Sequence, residues 1–468
     1  MIADVKPYPA MRDSGVPWLG EVPEHWEVTR GKRLFCHRKQ LNVDRVNSNV
    51  LSLTLRGVVN NDPENPEGLV PKDYGTYQLF CKDDLVFKLI DLENLRTSRV
   101  GLVHEDGIMS SAYVRLVPQS LVNIRFFFQQ YFDLYQRGIY NQLGAGVRST
   151  LGPTDLLDLR VAAPPLPEQA AIVRFLDHAD RRFRRYIRAK LKLITLLEEQ
   201  KQAIIHRAVT CGLNPSVRLK PSGVEWLGDV PEHWDVRRAK RFFREVDERS
   251  VTGDEELLSV SHLTGVTPRS QKNITMFMAE SYVGHKLCRP GDLVINTMWA
   301  WMAALGVSRH TGIVSPAYGV YRPHGGSPLI GDYADLLFRT RPYVSEYVCR
   351  STGIQSSRLR LYPEQFLRIA VVCPPAEEQR AILEHVASET TEAASAITIA
   401  LREIDLLREF RTRLIVDVVT GKLDVREAAA RLPDEFDEPE PLDEAGAPGD
   451  AEDVAAEDLD AVPEEAEA

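Results

Sequence analysis

Residues 14–35 read SGVPWLGEVPEHWEVTRGKRLF, and residues 222–243 read SGVEWLGDVPEHWDVRRAKRFF. Sixteen of these 22 positions are identical, and the two stretches begin 208 residues apart. Four further pairs follow in the same order. DDLVFKLI (83–90) returns as GDLVINTM (291–298), and GIMSSAYVRLVP (107–118) as GIVSPAYGVYRP (312–323). PPLPEQAAIVRFLD (164–177) returns as PPAEEQRAILEHVA (374–387), and LLEEQKQAIIHRAVTCGL (196–213) as LLREFRTRLIVDVVTGKL (406–423). A period this long does not describe a solenoid, whose repeats run to about 20–50 residues. It describes two tandem copies of one unit.

Each copy divides into two parts. The first holds short β-rich runs between turn residues: NVLSLTL, DLVFKLI and AYVRLV in one copy, LLSVSHL, DLVINTM and YGVYRP in the other. A helical stretch, LVNIRFFFQQYFDLYQRG, follows in the first copy. This pattern predicts an α/β (α+β) domain. The second part is one long helix. Apolar residues recur at three- and four-residue steps from Glu168 to about Thr210, and again from Glu378 to about Thr420. Prolines precede both stretches and Gly212 and Gly421 follow them, which are helix start and stop signals. Some 40 residues at ~1.5 Å each span roughly 60 Å. A narrow apolar stripe of that length suits coiled-coil packing. The two stripes can cover each other antiparallel with a pseudo-two-fold relation, or each can join a separate core. The expected domains are 1–163 and 214–373, with helices over 164–213 and 374–425 and a tail over 426–468.

Composition bounds the class. The chain has 468 residues, 44% of them hydrophobic, and no apolar run approaches the ~18 residues of a membrane span. The opening MIADVKPYPAMRDSG has no apolar core of a secretory signal. Six widely spaced cysteines form no CxxC pair, so neither a zinc site nor a disulfide framework is expected. A soluble cytoplasmic protein fits these features. The net charge of −10 divides unevenly: residues 431–468 carry 16 acidic side chains and one arginine, a net of −15, which leaves +5 on the rest. So acidic and weakly apolar a tail is expected to be disordered. It reads either as a solubilising tail or as a DNA mimic competing for the basic body.

No catalytic motif emerges. The segments GKR (31–33) and GKL (421–423) lack the upstream glycine and the Ser/Thr of a phosphate-binding loop. The Pro-Pro pairs follow Ala163 and Cys373, not the Asn/Asp of an amino-methyltransferase motif. One Glu-x-Lys triplet, Glu199–Lys201, falls inside the first long helix. His25 and His233 stand between Glu and Trp, as turn or packing residues.

The motif W-L-G-x-V-P-x-H-W (Trp18–Trp26 and Trp226–Trp234), together with P-P-x-x-E-Q (Pro164–Gln169 and Pro374–Gln379), resembles the specificity subunits of type I restriction-modification systems. The resemblance covers about residues 12–425. It implies two target-recognition domains separated by an antiparallel helical spacer, each reading half of a bipartite double-stranded DNA site. It also implies methyltransferase partner subunits, two of them, and a restriction/translocase subunit. S-adenosylmethionine, ATP and magnesium would then belong to the partners, and this chain would bind no cofactor or metal and have no catalysis of its own. The acidic tail departs from the family pattern. A self-sufficient nuclease and a coiled-coil scaffold without a nucleic-acid role are the rival readings.

The residue expectations follow. Base readout in the major groove suits Arg, Lys, Asn, Gln, His and Thr on loops. Arg56, Lys88, Arg96, Arg99 and Arg148 are the candidates in the first domain, and His262, Thr264, Asn296, Arg309 and Arg358 in the second. Trp18, Trp26, Trp226 and Trp234 are expected to anchor the entry of each domain on its helix, or equally to be plain core; exposed, they suit a partner interface, and with Glu168, Gln169, Glu378 and Gln379 they are the candidates for partner binding. The basic run RRFRRYIRAKLK (181–192) reads as a solvated helix face or as a contact for phosphates or an acidic partner.

Overall fold

The chain is seen as a computed structural model that describes residues 5–62, 71, 73–90, 92, 97–143, 150–271, 281–353 and 359–433. Two compact units emerge: residues 5–189 with 402–433, and residues 190–401. Arg96, Arg148, Arg358 and residues 434–468 of the expected tail lie outside the described residues; the tail expectation is corrected over 426–433, where Arg426–Ala430 is helical and Ala429 and Leu432 are buried.

The principal elements of the first unit are β1 (Glu27–Arg30), β2 (Phe35–His37), β3 (Leu51–Thr54), β4 (Gly57–Asn60), β5 (Leu85–Phe87), β6 (Val100–Leu102), β7 (Val114–Pro118), α1 (Ile124–Gln136) and β8 (Arg160–Ala163). The long helix α2 (Leu166–Cys211) begins in it. The second unit holds β9 (Asp235–Arg238), β10 (Phe243–Glu245), β11 (Leu258–Ser261), β12 (Gly265–Pro268), β13 (Leu293–Ile295), β14 (Leu305–Val307), β15 (Gly319–Pro323), α3 (Gly331–Phe338) and β16 (Ala370–Cys373). The second long helix, α4 (Ala376–Val419), begins there.

In the first unit an antiparallel sheet runs β2-β7-β5-β6, β8 pairs with β1, and β3-β4 is a hairpin. In the second the orders are β10-β15-β13-β14, β9 with β16, and the hairpin β11-β12.

The recurrent Asp-Leu-Val triplets owe their form to this frame. Leu85 and Val86, like Leu293 and Val294, are wholly buried strand residues. The aspartate before each ends a turn: Asp84 accepts from the Cys81 amide at 2.6 Å, Asp292 from the Arg289 amide at 2.9 Å. Each aspartate also pairs with an arginine of the adjacent central strand, Asp84 with Arg115 at 2.6 Å and Asp292 with Arg322 at 2.9 Å. A buried carboxylate so partnered is tolerated where a lone one would carry a large desolvation cost.

In the first unit the core gathers Trp26, Phe35, Phe87, Phe126, Phe127 and Tyr131 with Ile172, Leu176 and Phe183 of α2 and Leu414 and Val418 of α4. Each such side chain contributes roughly 1.5–3 kcal/mol when fully buried. The start of α2 and the end of α4 run in opposite directions there. Arg174 reaches the Leu432 carbonyl at 2.9 Å, Arg411 pairs with Asp180 at 2.5 Å, and Phe410 meets Phe183 edge-on at 5.7 Å. In the second unit Ile205, Ala208 and Val209 near the end of α2 share a core with Ile382 and Val386 near the start of α4. Among the described residues no helix is long and apolar enough to cross a membrane.

Candidate nucleic-acid interface

The repeated W-L-G-x-V-P-x-H-W and P-P-x-x-E-Q motifs meet in space and form the joint between each domain and its helix. In the first unit Glu168, in the first turn of α2, accepts three hydrogen bonds: Trp26 Nε1 at 2.8 Å, Tyr8 Oη at 2.5 Å and His25 Nε2 at 2.8 Å. Glu168 is 5% exposed and Trp26 1%. Burial, reinforced by the bond to Glu168, raises the pKa of Tyr8 well above its ordinary value and keeps its hydroxyl protonated as a donor. The neighbouring Gln169 accepts from the Asn123 amide at 2.8 Å, capping the approach to α1, and donates to the Pro164 carbonyl at 2.8 Å.

In the second unit Glu378 accepts from Trp234 Nε1 at 3.0 Å and His233 Nε2 at 2.7 Å. Gln379 accepts from the Ile330 amide at 2.8 Å and donates to Pro328 and Pro374 carbonyls at 2.9 and 2.8 Å. The glycine that closes each long helix abuts a joint. Gly421, at φ +77°, lies against Pro23 and Trp26; Gly212, also at φ +77°, lies against Trp234 and Glu378. A left-handed residue is the usual helix stop, and only glycine leaves room for the indole.

This corrects the partner-binding expectation. Trp26, Trp234, Glu168, Gln169 and Gln379 are buried and spend their polar atoms inside the joint, so they offer a partner no surface. Trp18 and Trp226 are half-buried, the first donating to the Arg160 carbonyl at 3.1 Å, the second packed edge-on against Tyr343 at 5.0 Å. Glu378 is also half-buried, at the rim of its joint. The anchoring reading describes the tryptophans, and the glutamates and glutamines serve the same joints.

A different edge of each domain gathers candidates for recognition. The hairpin β3-β4 packs on its sheet through Leu51 and Leu53, against Phe80, Val86 and Met109. Gly107 lies beside Leu51 and Gly101 beside Leu53 and Val58. The hairpin tip at Leu55–Arg56 therefore extends toward the β5–β6 connection, which carries Lys88 and Thr97. In the second unit Gly312 lies beside Leu258 and Gly306 beside Gly265, so the tip His262–Leu263–Thr264 extends toward the β13–β14 connection. Both turns are tightened the same way. The Thr54 hydroxyl accepts from the Arg56 amide at 3.1 Å, and the Ser261 hydroxyl from the Leu263 amide at 3.2 Å. Arg339 fixes the second hairpin by donating to the carbonyls of Ser261 at 3.2 Å and Leu305 at 3.0 Å.

Of the sequence candidates, Arg56 and Thr264 are exposed at these tips and His262 is half-exposed beside Leu263. Lys88 lies on the adjoining connection and donates to Thr97 at 3.0 Å. Two others need correction, and a third lies away from the tips. Arg99 is 0% exposed, so its guanidinium cannot meet a base edge. Asn296 is buried and shapes its loop, accepting from the Met298 amide at 3.2 Å and donating to Tyr318 at 3.1 Å. Arg309 sits beyond the far end of β14 from the tip and pairs with Asp332 at 3.0 Å. Two features of this edge escaped the sequence reading. Leu55 and Leu263 protrude from the tips, and Trp299 and Trp301 stack at 5.7 Å with 19° between their planes in the β13–β14 connection. The signal for the latter was the WAW triplet in a long gap between strands.

On α2, Phe183 and Ile187 point into the core while Arg181, Arg184, Arg185 and Arg188 are exposed; Arg184 pairs with Asp180 at 2.7 Å. Lys201 pairs with Glu198 at 3.3 Å on the same helix. Among the described residues no group of three or more His, Cys, Asp or Glu side chains could hold a metal.

Comparison with known proteins finds likenesses of one kind. Residues 47–195, from just before β3 into α2, match the family model of the type I restriction modification DNA specificity domain. The putative type I restriction enzyme MjaX specificity subunit of Methanocaldococcus jannaschii is 22% identical over 241 residues, which is 47% of this chain and 52% of that one. The chain thus spans about half the length of the curated relative it matches. A solved chain described under complex assembly and conformational transition of the type I R-M system superposes with a TM-score of 0.57 at 15% identity, covering 86% of this chain and 99% of that one. That likeness concerns the fold. The HsdS subunit from Thermoanaerobacter tengcongensis superposes with a TM-score of 0.41 at 14% identity, over 86% and 98% of the two chains. Residues 47–195 are thus similar to a type I restriction-modification DNA specificity domain, in agreement with the resemblance to specificity subunits carried by the repeated motifs.

Proposed function

We propose that this chain is the DNA-recognition subunit of a type I restriction-modification complex, that it reads a bipartite asymmetric target, and that it performs no chemistry itself. The observation that carries the reading is the pair of hairpin edges. Two units with the same strand order each extend a hairpin tip toward the same connection, yet the tips differ: Leu-Arg in one, His-Leu-Thr in the other. A constant frame with variable tips is what two readers of different half-sites require, since base edges in the major groove are told apart by donor, acceptor and methyl patterns.

The reading treats the two units as tandem copies and the helices α2 and α4 as an antiparallel coiled-coil spacer. Its support is the opposed run of helix segments within the first unit and the recurrence of a Glu-Gln joint in each unit. Half-site readers are commonly set a whole number of ~34 Å helical turns apart. A helix of 46 residues rises about 69 Å, ample for such spacing. Methyltransferase subunits, two of them, and a restriction/translocase subunit would dock on the helical spacer and supply S-adenosylmethionine, ATP and magnesium chemistry. The exposed arginines of α2 suit phosphate contact or an acidic partner face.

The test is to express the chain with a type I methyltransferase subunit from the same organism and map methylation genome-wide. A gapped motif with two unlike halves is expected, together with no methylation or cleavage by the purified chain alone. Magnesium-dependent cutting by the isolated chain, or a continuous motif, overturns the reading.

A further inference from the structure

We infer that Leu55 and Leu263 are apolar base contacts, each seated against the 5-methyl group of a thymine in the major groove. This rests on the recognition reading above. Leu55 is 56% exposed and Leu263 66%. Both occupy turns of two or three residues, where Gly, Asn, Asp and Ser are favoured and an apolar side chain has no local reason to be. Neither belongs to the apolar clusters beneath the hairpins, although those clusters hold the strands on either side: Leu51, Leu53 and Val58 in one, Leu258, Val260 and Val266 in the other. The tips are therefore firmly mounted while the leucines themselves point away from the core.

The coincidence of position carries the argument. The two turns differ in length and in every polar residue, but each keeps one leucine two residues before the glycine that reopens the hairpin, Gly57 or Gly265. Each leucine stands beside hydrogen-bonding side chains, Arg56 in one tip and His262 and Thr264 in the other. A two-stranded ribbon fits the major groove, and the thymine methyl is the one apolar feature the base pairs present there. A leucine flanked by donors reads an A·T pair by its methyl while its neighbours read the adjoining pair. A wedge between base pairs in the minor groove would bend the duplex instead.

The experiment uses the full chain co-purified with its methyltransferase subunit and a randomised duplex library. Leu55→Ala should return the wild-type motif with one A·T position relaxed in one half, and Leu263→Ala the same in the other half; Leu→Met at either site retains bulk and should change little. With uracil replacing thymine at the relaxed position, wild type should lose about fourfold in affinity, the equivalent of one methyl group, and the Ala variant nothing further. Unaltered motifs in both Ala variants, indifference to uracil, or sequence-independent loss with a lost DNA bend overturns the inference. A wild type that selects no motif overturns the recognition reading itself.

Discussion

Substituting Glu168 by Ala tests how the domains are joined to their helices. The change strips the acceptor from two buried donors, Trp26 Nε1 and Tyr8 Oη, and from His25, whose side chain is 41% exposed and turns to water. An orphaned buried donor costs about 1–3 kcal/mol, so the two cost about 2–6 kcal/mol. Glu378→Ala orphans only Trp234, because His233 is 47% exposed, and costs about 1–3 kcal/mol. Loss of a carboxylate from the first helical turn is common to both variants and cancels in the comparison. Native-state hydrogen exchange reads the two units separately: amides of 124–136 should lose more protection in the first variant than those of 331–338 do in the second. The bond itself is isolated by a cycle with Trp26→Phe, in which the double variant is less destabilised than the two singles together. Equal losses in the two units, or strict additivity in the cycle, refute the reasoning.

Gly421→Ala should destabilise the first unit by about 1–3 kcal/mol, since the new Cβ meets Pro23 and Trp26 at a left-handed φ of +77°; denaturant unfolding measures it, and Gly326→Ala, at φ +75° with open space around it, isolates the cost of the conformation alone. Arg56→Ala should weaken DNA affinity by about 1–3 kcal/mol and relax one position in the same half-site that Leu55 governs; competition with single-base variants of the motif checks it. Chain with an intact hairpin should bind less tightly as salt rises, with a log-log slope of about −0.9 per neutralised phosphate; salt-insensitive binding would favour a scaffold.

The long helices were legible because their signals are local: apolar spacing, prolines before, a glycine after. The strands of DLVFKLI and DLVINTM were legible for the same reason, as alternating or continuous apolar runs between turns. The role of the W-L-G-x-V-P-x-H-W text was not, because its partner Glu168 lies 142 residues from Trp26 and no local pattern announces that bond. Arginine is so regularly a surface residue that Arg99 read as a base contact, yet tertiary packing buries it completely. Asn296 bears the chemistry of a reader but spends it on its own turn. Leu55 and Leu263 carry neither donor nor acceptor, so nothing in their chemistry marks them as recognition residues until the fold places them exposed at the hairpin tips. The recurring aspartates of the DLV triplets gained their meaning only with Arg115 and Arg322 beside them.

The most direct measurement is a swap. Residues 14–160 are replaced by the corresponding segment of a known type I specificity subunit, and the hybrid is expressed with the same methyltransferase while methylated sites are mapped. One half of the split motif should change to the donor's sequence, with the other half and the gap between them preserved. A motif that is unchanged, or altered in both halves at once, would contradict the claim that two independent readers are carried on one chain.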